Sequence, residues 1–239
     1  MLLRTLGSVR IDEIDFTRPK PLLLLTYLAL EGSRPRRHLA ELFWPDAADP
    51  MRSLSVALTR LRQGAPGSVA ADRRHAATEV RCDVHAFLAH IDRGERRAAR
   101  DLYRGPFLDG LHLPSWTTEL EEWLHAQREH LADVALRAHL DEAESQATRG
   151  RFGASADLAE RASRLRWAVP QPDDLVRLHT LLAADGRARA DVVRREGKIS
   201  DSSWRPIPRP RGDGWRARGG GRARHRQRPA ASRHRLRRA

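Results

Sequence analysis

The sequence has almost no cysteine and no long hydrophobic run, and each shortage excludes a class of protein. Cys82 is the only cysteine among 239 residues, which excludes an internal disulfide framework and suits a reducing compartment. The longest apolar stretch, residues 22–30, includes Thr26 and Tyr27 and is too short to cross a bilayer. The N-terminus lacks a signal-peptide pattern. We therefore expect a cytoplasmic protein that makes no membrane contact.

Motifs for metal, cofactor or catalytic chemistry are also lacking. The pairs His85/His90 and His125/His130 are each separated by five residues, whereas two ligands on one helical face are four residues apart. The glycine run at residues 219–221 lacks the Lys-Ser/Thr of a phosphate-binding loop, and no Gly-x-Ser-x-Gly motif is present. We therefore expect no metal site, no cofactor and no enzymatic activity.

Acidic residues are scarce only in the last part of the chain. The formal net charge is +13, but residues 186–239 contain 18 Lys and Arg against four Asp and Glu. Residues 84–185 contain 13 basic and 17 acidic residues, a balance that favours a protein partner over a second DNA surface. A DNA-binding role must therefore be judged from the positions of individual arginines, not from the bulk charge.

The basic C-terminal region, residues 196–239, is rich in Arg, Pro and Gly and has few aliphatic residues. Such a segment buries too little apolar area to offset its chain entropy, so we expect a disordered tail. One interpretation is a basic arm that binds phosphate non-specifically. Another is an out-of-frame or truncated product, because a second helical repeat that starts at residues 187–195 is never completed. Both interpretations stay open.

The N-terminal region, residues 1–83, contains the signals of a winged helix-turn-helix. Asp49 is a favourable N-cap and Pro50 suits the first helical position, so a helix is predicted to begin there. The predicted elements are two or three short antiparallel strands over residues 2–16, helices over 22–30, 36–44 and 50–63, and a hairpin whose strands, 68–71 and 78–82, flank residues 72–75.

The next region, residues 84–195, is predicted to be entirely helical, so that the whole chain is mainly α. Gly150 and Gly186 end helices 36 residues apart, a period that indicates a tetratricopeptide-like repeat. We expect the long segment over 117–148 to split into two helices. The predicted helices span residues 84–92, 95–103, 117–148, 154–167 and 172–184.

The predicted third helix has one apolar and one polar face, and it contains no acidic residue between Pro50 and Gln63. Met51, Leu54, Leu58 and Leu61 recur at helical spacing and are expected to face the core. The opposite face carries side chains that can bond base edges and phosphates in a DNA major groove. These are Arg52, Ser53, Ser55, Thr59, Arg60, Arg62 and Gln63, with Ala57 between them. The alternative is an ordinary solvated amphipathic helix.

Two further pairs of arginines extend this predicted DNA-binding surface. Arg73 and Arg74 lie at the tip of the predicted hairpin, where they are placed to touch sugar-phosphate or a minor groove. Arg36 and Arg37 begin the second helix and are candidates for phosphate contacts, although they can equally be exposed charges.

Four motifs carry a resemblance to a known family. LAELFWPD at residues 39–46 and LSVALTRLR at 54–62 resemble the OmpR-type winged helix. LYRGPFLDGL at 102–111 and the segment 116–129 resemble the bacterial transcriptional activator domain. In this order, over roughly residues 4–190, they resemble SARP-like regulators. This family's wing usually carries a Gly-Tyr pair where this chain has HAATEV at 75–80.

The resemblance implies binding to double-stranded promoter DNA as a homodimer on direct repeats, and recruitment of RNA polymerase. With the polar face of the third helix, it leads us to expect a sequence-specific transcriptional regulator, more specifically an activator. Two alternatives stay open. One is a helical-repeat scaffold that has lost DNA binding, and the other is a truncated fragment of a larger nucleotide-binding regulator.

Overall fold

The computed structural model describes residues 1–111 and 117–185, and these are mainly helical with two small sheets. The predicted tail over residues 196–239, and residues 186–195 of the predicted helical region, lie outside the described residues. The described helices are α1 (Pro19–Glu31), α2 (Arg36–Phe43), α3 (Pro50–Gly64), α4 (Asp83–Asp92), α5 (Arg96–Leu102), α6 (Thr118–Thr148), α7 (Phe152–Ser163) and α8 (Pro172–Ala183). The described strands are β1 (Leu2–Arg4), β2 (Arg10–Ile11), β3 (Arg34–Pro35), β4 (Ala70–Ala71), β5 (His75–Ala77) and β6 (Arg81–Cys82).

The two sheets each contain three short strands. The first has the order β2-β1-β6, with β1 antiparallel to β2 and parallel to β6, so that Leu3 lies opposite both Ile11 and Cys82. The antiparallel strands predicted within residues 2–16 are therefore present, and β6 adds a partner from far along the chain. The second sheet has the order β3-β5-β4 and is antiparallel throughout.

The predicted second strand of the hairpin, residues 78–82, is wrong. The strand that pairs with β4 is His75–Ala77, and Arg81–Cys82 pairs with β1 instead. The reason is the tight turn at Asp72, whose Oδ1 accepts hydrogen bonds from the amides of Arg74 and His75 at 2.6 and 2.7 Å. This side chain reverses the direction of the chain early, so the returning strand begins at His75.

Helix α1 is surrounded by protein along most of its length. Every residue from 21 to 28 is buried, and α3, β5 and β6 pack against the helix. The helix begins at Pro19, earlier than the predicted residue 22, because prolines are tolerated in the first helical turn, where the amides lack intrahelical partners. Tyr27 packs against Trp123 of α6 with ring centroids 5.0 Å apart.

A buried carboxylate joins the N-terminal strand to α4. The Asp83 carboxylate accepts hydrogen bonds from the Thr5 amide and hydroxyl at 2.9 and 2.7 Å and from the Leu6 amide at 3.1 Å. Beyond them, Gly7 has a φ of 98° and its amide donates to the Pro106 carbonyl. A Cβ at Gly7 would lie 3.1 Å from the backbone of Gly105, so this close approach requires glycine.

Helix α6 is one continuous helix of 31 residues, so the predicted split is wrong. No glycine or proline interrupts its sequence, and the buried alanines at 132, 135, 138 and 143 let neighbouring elements pack closely without a break. Gly150, with a φ of 74°, then allows the chain to reverse into α7. Helix α7 ends at Ser163, four residues before the predicted end.

The hydrophobic core continues across residue 83, where the sequence predicts a domain boundary. One cluster of buried side chains extends from Leu3 to Ala135, and a second extends from Leu136 to Leu182. Trp123 of α6 also donates a hydrogen bond of 2.8 Å to Glu31 of α1. In the part of the chain that the structure describes, no helix is both long and apolar enough to cross a membrane.

We predict that Asp83→Ala lowers the free energy of unfolding by at least about 2 kcal/mol, because buried amides of Thr5 and Leu6 lose their acceptor. Urea denaturation of both proteins measures the difference. Asp101→Ala, at an exposed residue of α5, is the matched control and should change stability by less than about 0.5 kcal/mol. Equal stability of the Asp83→Ala variant and the unchanged protein would contradict the assigned role.

A second prediction concerns pH. His139 lies on α6, and the burial of its side chain lowers its pKa below the ordinary value of 6.5. The positive charges of Arg100 and Arg161 lower this pKa further. As the pH falls, the unfolded chain therefore takes up a proton at His139 before the folded protein does. Neutral His139 makes its full contribution to the stability of the fold above pH 6.5, and this contribution is lost as the pH falls through the lowered pKa.

Denaturation at pH 7 and pH 5 tests this sign. His139→Gln should lose less stability between the two values than the unchanged protein. His130→Gln, at an exposed position of the same helix, should behave like the unchanged protein. An identical loss in the unchanged protein and in His139→Gln would exclude His139 as the titrating group.

Candidate nucleic-acid interface

Helix α3 begins and packs largely as its sequence predicts. The Asp49 side chain accepts a hydrogen bond of 2.8 Å from the Arg52 amide, and Pro50 occupies the first turn. Leu54, Leu58 and Leu61 are at most 1% exposed and form the inward face. The N-cap and three of the four predicted core positions are therefore confirmed.

The predicted positions of Met51 and Ala57 are wrong. Met51 is 40% exposed, whereas Ala57, expected on the polar face, is only 3% exposed. At about 100° per residue, the inward face is centred near Leu61, which places Met51 roughly 70° from the centre but Ala57 only roughly 50° from it, as far as Leu58 on the other side. The buried spacing is therefore 54, 57, 58 and 61, a regular core pattern that includes the small alanine.

The outward face of α3 carries cations that pair with no acid in the part of the chain that the structure describes. Arg52, Arg60 and Arg62 are exposed, as is Gln63. Among residues 1–111 and 117–185, no ion pair within 4.0 Å involves any of these three arginines. Arg62 also donates a hydrogen bond of 3.2 Å to the Ala71 carbonyl of the hairpin. Arg52 and Arg60 therefore keep their guanidinium groups available to an external anion.

The hydroxyl groups of α3 are less available than the sequence predicts. Ser55 donates to the Met51 carbonyl at 2.8 Å and also accepts a hydrogen bond from Arg36. Thr59 donates to the Ser55 carbonyl at 2.9 Å and keeps its lone pairs for a further donor. Ser53 is half-buried. The predicted free hydroxyl at Ser55 is therefore wrong, because that hydroxyl both donates and accepts within the protein.

Arg36, predicted to be a phosphate contact or an exposed charge, is half-buried and forms hydrogen bonds within the protein. Its Nη1 donates to the Asp72 carbonyl at 2.9 Å and its Nη2 to the Ser55 hydroxyl at 2.8 Å. Its backbone amide donates to the Arg74 carbonyl at 2.8 Å, and its Nε is buried without a hydrogen-bond partner. Arg36 therefore connects α2, α3 and the hairpin, and it acts as a positioning residue for the surface.

Arg37 is exposed, as predicted, but it has an acidic partner. Its Nε donates to Glu41 Oε1 at 2.9 Å, one helical turn along α2, and this hydrogen bond raises the pKa of Arg37. Both side chains are largely exposed, so the pair adds little stability. A phosphate at Arg37 would have to compete with the Glu41 carboxylate.

The tip of the hairpin presents two further cations. Arg73 and Arg74 are exposed, and neither forms an ion pair with another described residue. The turn that carries them is fixed by Asp72, whose pKa is lowered by the hydrogen bonds from the His75 and Arg74 amides. Through Arg36 and Arg62, this tip has a defined position relative to α3.

The sequence pattern missed a shallow groove beside the outward face of α3. The groove has a volume of about 310 Å³ and is lined by Lys20, Trp44, Arg52, Val56 and Arg60, among others. Lys20 Nζ lies 5.2 Å from the centroid of the Trp44 ring. Burial lowers the pKa of Lys20, while the nearby Asp46 raises it. Val56 lies four residues from both Arg52 and Arg60, and this spacing is the sequence signal that could have located the groove.

A metal site finds no support within the described ranges. No group of three or more His, Cys, Asp or Glu residues there is arranged to hold a metal ion. No protein-family model matches the chain, and no curated protein matches it either. A function must therefore be argued from the side chains of this surface.

We predict that Arg36→Ala accelerates amide hydrogen exchange in β4 and β5 at least tenfold, because the turn of the hairpin loses the Nη1 hydrogen bond to the Asp72 carbonyl and, with it, the side-chain connection to Ser55 of α3. Exchange followed by NMR measures this effect at individual amides. Arg37→Ala removes the same charge one residue later, where the side chain bonds only Glu41 and is exposed, and it should leave hairpin exchange unchanged. Similar exchange rates in the two variants would show that Arg36 does not position the hairpin.

Proposed function

We propose that this chain is a sequence-specific DNA-binding transcriptional regulator that reads promoter DNA through α3 and the adjacent hairpin. The observation that carries this proposal is the outward face of α3, where Arg52 and Arg60 are exposed and have no ion-pair partner among the described residues, on a helix whose other face is buried. A carboxylate on this face would repel phosphate, and residues 50–63 contain none.

The order of elements supports a winged helix-turn-helix over residues 1–83. In this assignment α2 and α3 form the helix-turn-helix, and β4 and β5 form the wing. Helix α3 then enters the major groove, where an arginine can donate two hydrogen bonds to a guanine. Arg73 and Arg74 at the tip of the wing contact sugar-phosphate. The short side chain of Ser53 allows a close approach.

The remaining helices support a role in contacting protein. We assign residues 84–195 to a tetratricopeptide-like domain, in which α7 packs on α6 and α8 packs on α7. By the resemblance to SARP-like regulators, the partner is RNA polymerase, and the chain binds direct repeats as a homodimer in the cytoplasm. The proposed role involves no catalytic step and no cofactor.

A scaffold that holds a partner without reading DNA is the second candidate. Exposed apolar side chains in and between α7 and α8 favour it, since Phe152, Val169 and Val176 are 46%, 52% and 65% exposed. A scaffold would keep these contacts and show no preference among DNA sequences. A fragment of a larger nucleotide-binding regulator would share the DNA-binding surface, so DNA selection does not separate it from the leading proposal.

Selection from random DNA duplexes tests the proposed function directly. The experiment uses the full chain and a chain ending at Asp185, because the basic tail alone can bind phosphate non-specifically. We expect both proteins to enrich the same sequence. If the shorter protein is folded by circular dichroism and enriches no sequence, the DNA-reading proposal is wrong and the scaffold is favoured.

We predict that Arg60→Ala weakens binding to the selected duplex by about 1–3 kcal/mol if it contacts a base, with relaxed preference at one position. If Arg60 instead contacts phosphate, the slope of log K against log salt falls by roughly 0.9 and all sequences weaken alike. Fluorescence anisotropy at several salt concentrations distinguishes these outcomes.

Arg149→Ala provides the control, because it removes the same charge from an exposed position after α6. It should leave both the affinity and the salt slope nearly unchanged. Equal effects of the two substitutions would mean that only overall charge matters, which would contradict a specific role for α3.

A further inference from the structure

Val56 is an apolar side chain at the middle of the outward face of α3. It is 42% exposed and lies four residues from both Arg52 and Arg60, so all three occupy neighbouring positions on one face. Valine is a weaker helix former than alanine, because its branched Cβ restricts the side chain in a helix. Neither core packing nor helix formation therefore explains valine at this position.

The surroundings of Val56 indicate an anionic partner. The groove that Val56 lines also contains Lys20, Arg52 and Arg60, and within the described ranges none of these cations has an ion-pair partner at 4.0 Å or less. Asp46 is the acid close enough to Lys20 to affect its pKa. An apolar protein partner would have to bury these charges, whereas DNA phosphates would neutralise them.

In a DNA major groove, the one apolar group on the base edges is the C5 methyl of thymine. We propose that Val56 contacts this methyl group and makes the chain select thymine at one position of its site. This inference rests on the proposed function and adds to it the base that the centre of the helix reads. Arg52 and Arg60 supply hydrogen bonds on either side, and Val56 supplies a contact that hydrogen bonding cannot.

The helix geometry limits where this thymine lies. A helix rises about 1.5 Å per residue, so the Cα atoms of Arg52 and Arg60 each lie about 6 Å along the axis from that of Val56. This distance corresponds to roughly two base pairs of B-DNA at about 3.4 Å each. The selected site should therefore contain the thymine within about two base pairs of any guanine that these arginines contact.

Replacement of thymine by deoxyuridine tests the contact, because it removes the methyl group and leaves base pairing intact. Each thymine of the selected duplex is replaced in turn, and the dissociation constant is measured for the full chain and for Val56→Ala. For the unchanged protein we expect that replacing one particular thymine raises the dissociation constant about fourfold, which corresponds to the free energy of burying one methyl group. The Val56→Ala variant should bind the thymine and deoxyuridine duplexes with equal dissociation constants, both close to that of the unchanged protein on the deoxyuridine duplex.

Met51→Ala is the matched control. Met51 is 40% exposed at the start of the same helix and points roughly 140° away from Val56, so this variant should keep the fourfold difference. The inference is wrong if no thymine responds to loss of its methyl group, or if Val56→Ala keeps the response. In either case, sequence-specific binding by the unchanged protein would leave the proposed function intact. A chain that binds all sequences alike would overturn both.

Discussion

The burial of α1 on nearly all sides is the constraint on which the rest of the structure depends. Eight consecutive residues, 21–28, are buried, so this helix must be surrounded by other elements to be stable. Helix α3 covers one part of it, the short strands cover another, and Trp123 of α6 packs on Tyr27. The N-terminal elements therefore share one core with α4, α5 and the first part of α6, and α3 is left with a single face that can contact a partner.

That arrangement makes the exposed face of α3 rigid before any partner binds. Its back is held by three buried leucines, its first turn is capped by Asp49, and Arg36 connects it to the hairpin. A surface that is already ordered loses little conformational entropy on association. The cost is that Arg36, a cation beside the candidate DNA surface, is committed to hydrogen bonds within the protein.

Local signals predicted much of this surface, and long-range pairings accounted for two of the failures. Asp49 and Pro50 fixed the start of α3, because capping acts within one helical turn. The pairing of Arg81–Cys82 with β1 was missed because it depends on contacts with residues far away in the chain. The direction of the Arg36 side chain was missed for the same reason, since its acceptors, Ser55 and Asp72, are brought near only by the fold.

The central position of β1 in its sheet has a consequence for synthesis. Leu2–Arg4 leaves the ribosome well before its parallel neighbour, Arg81–Cys82, and before Phe107, with which Leu6 forms a bridge. Folding during translation proceeds from the N-terminus, but this sheet cannot be completed until the chain has been synthesised as far as Cys82. The nascent chain therefore carries an unpaired strand edge throughout the formation of α1, α2 and α3, and this interval is when aggregation or chaperone capture would act on it.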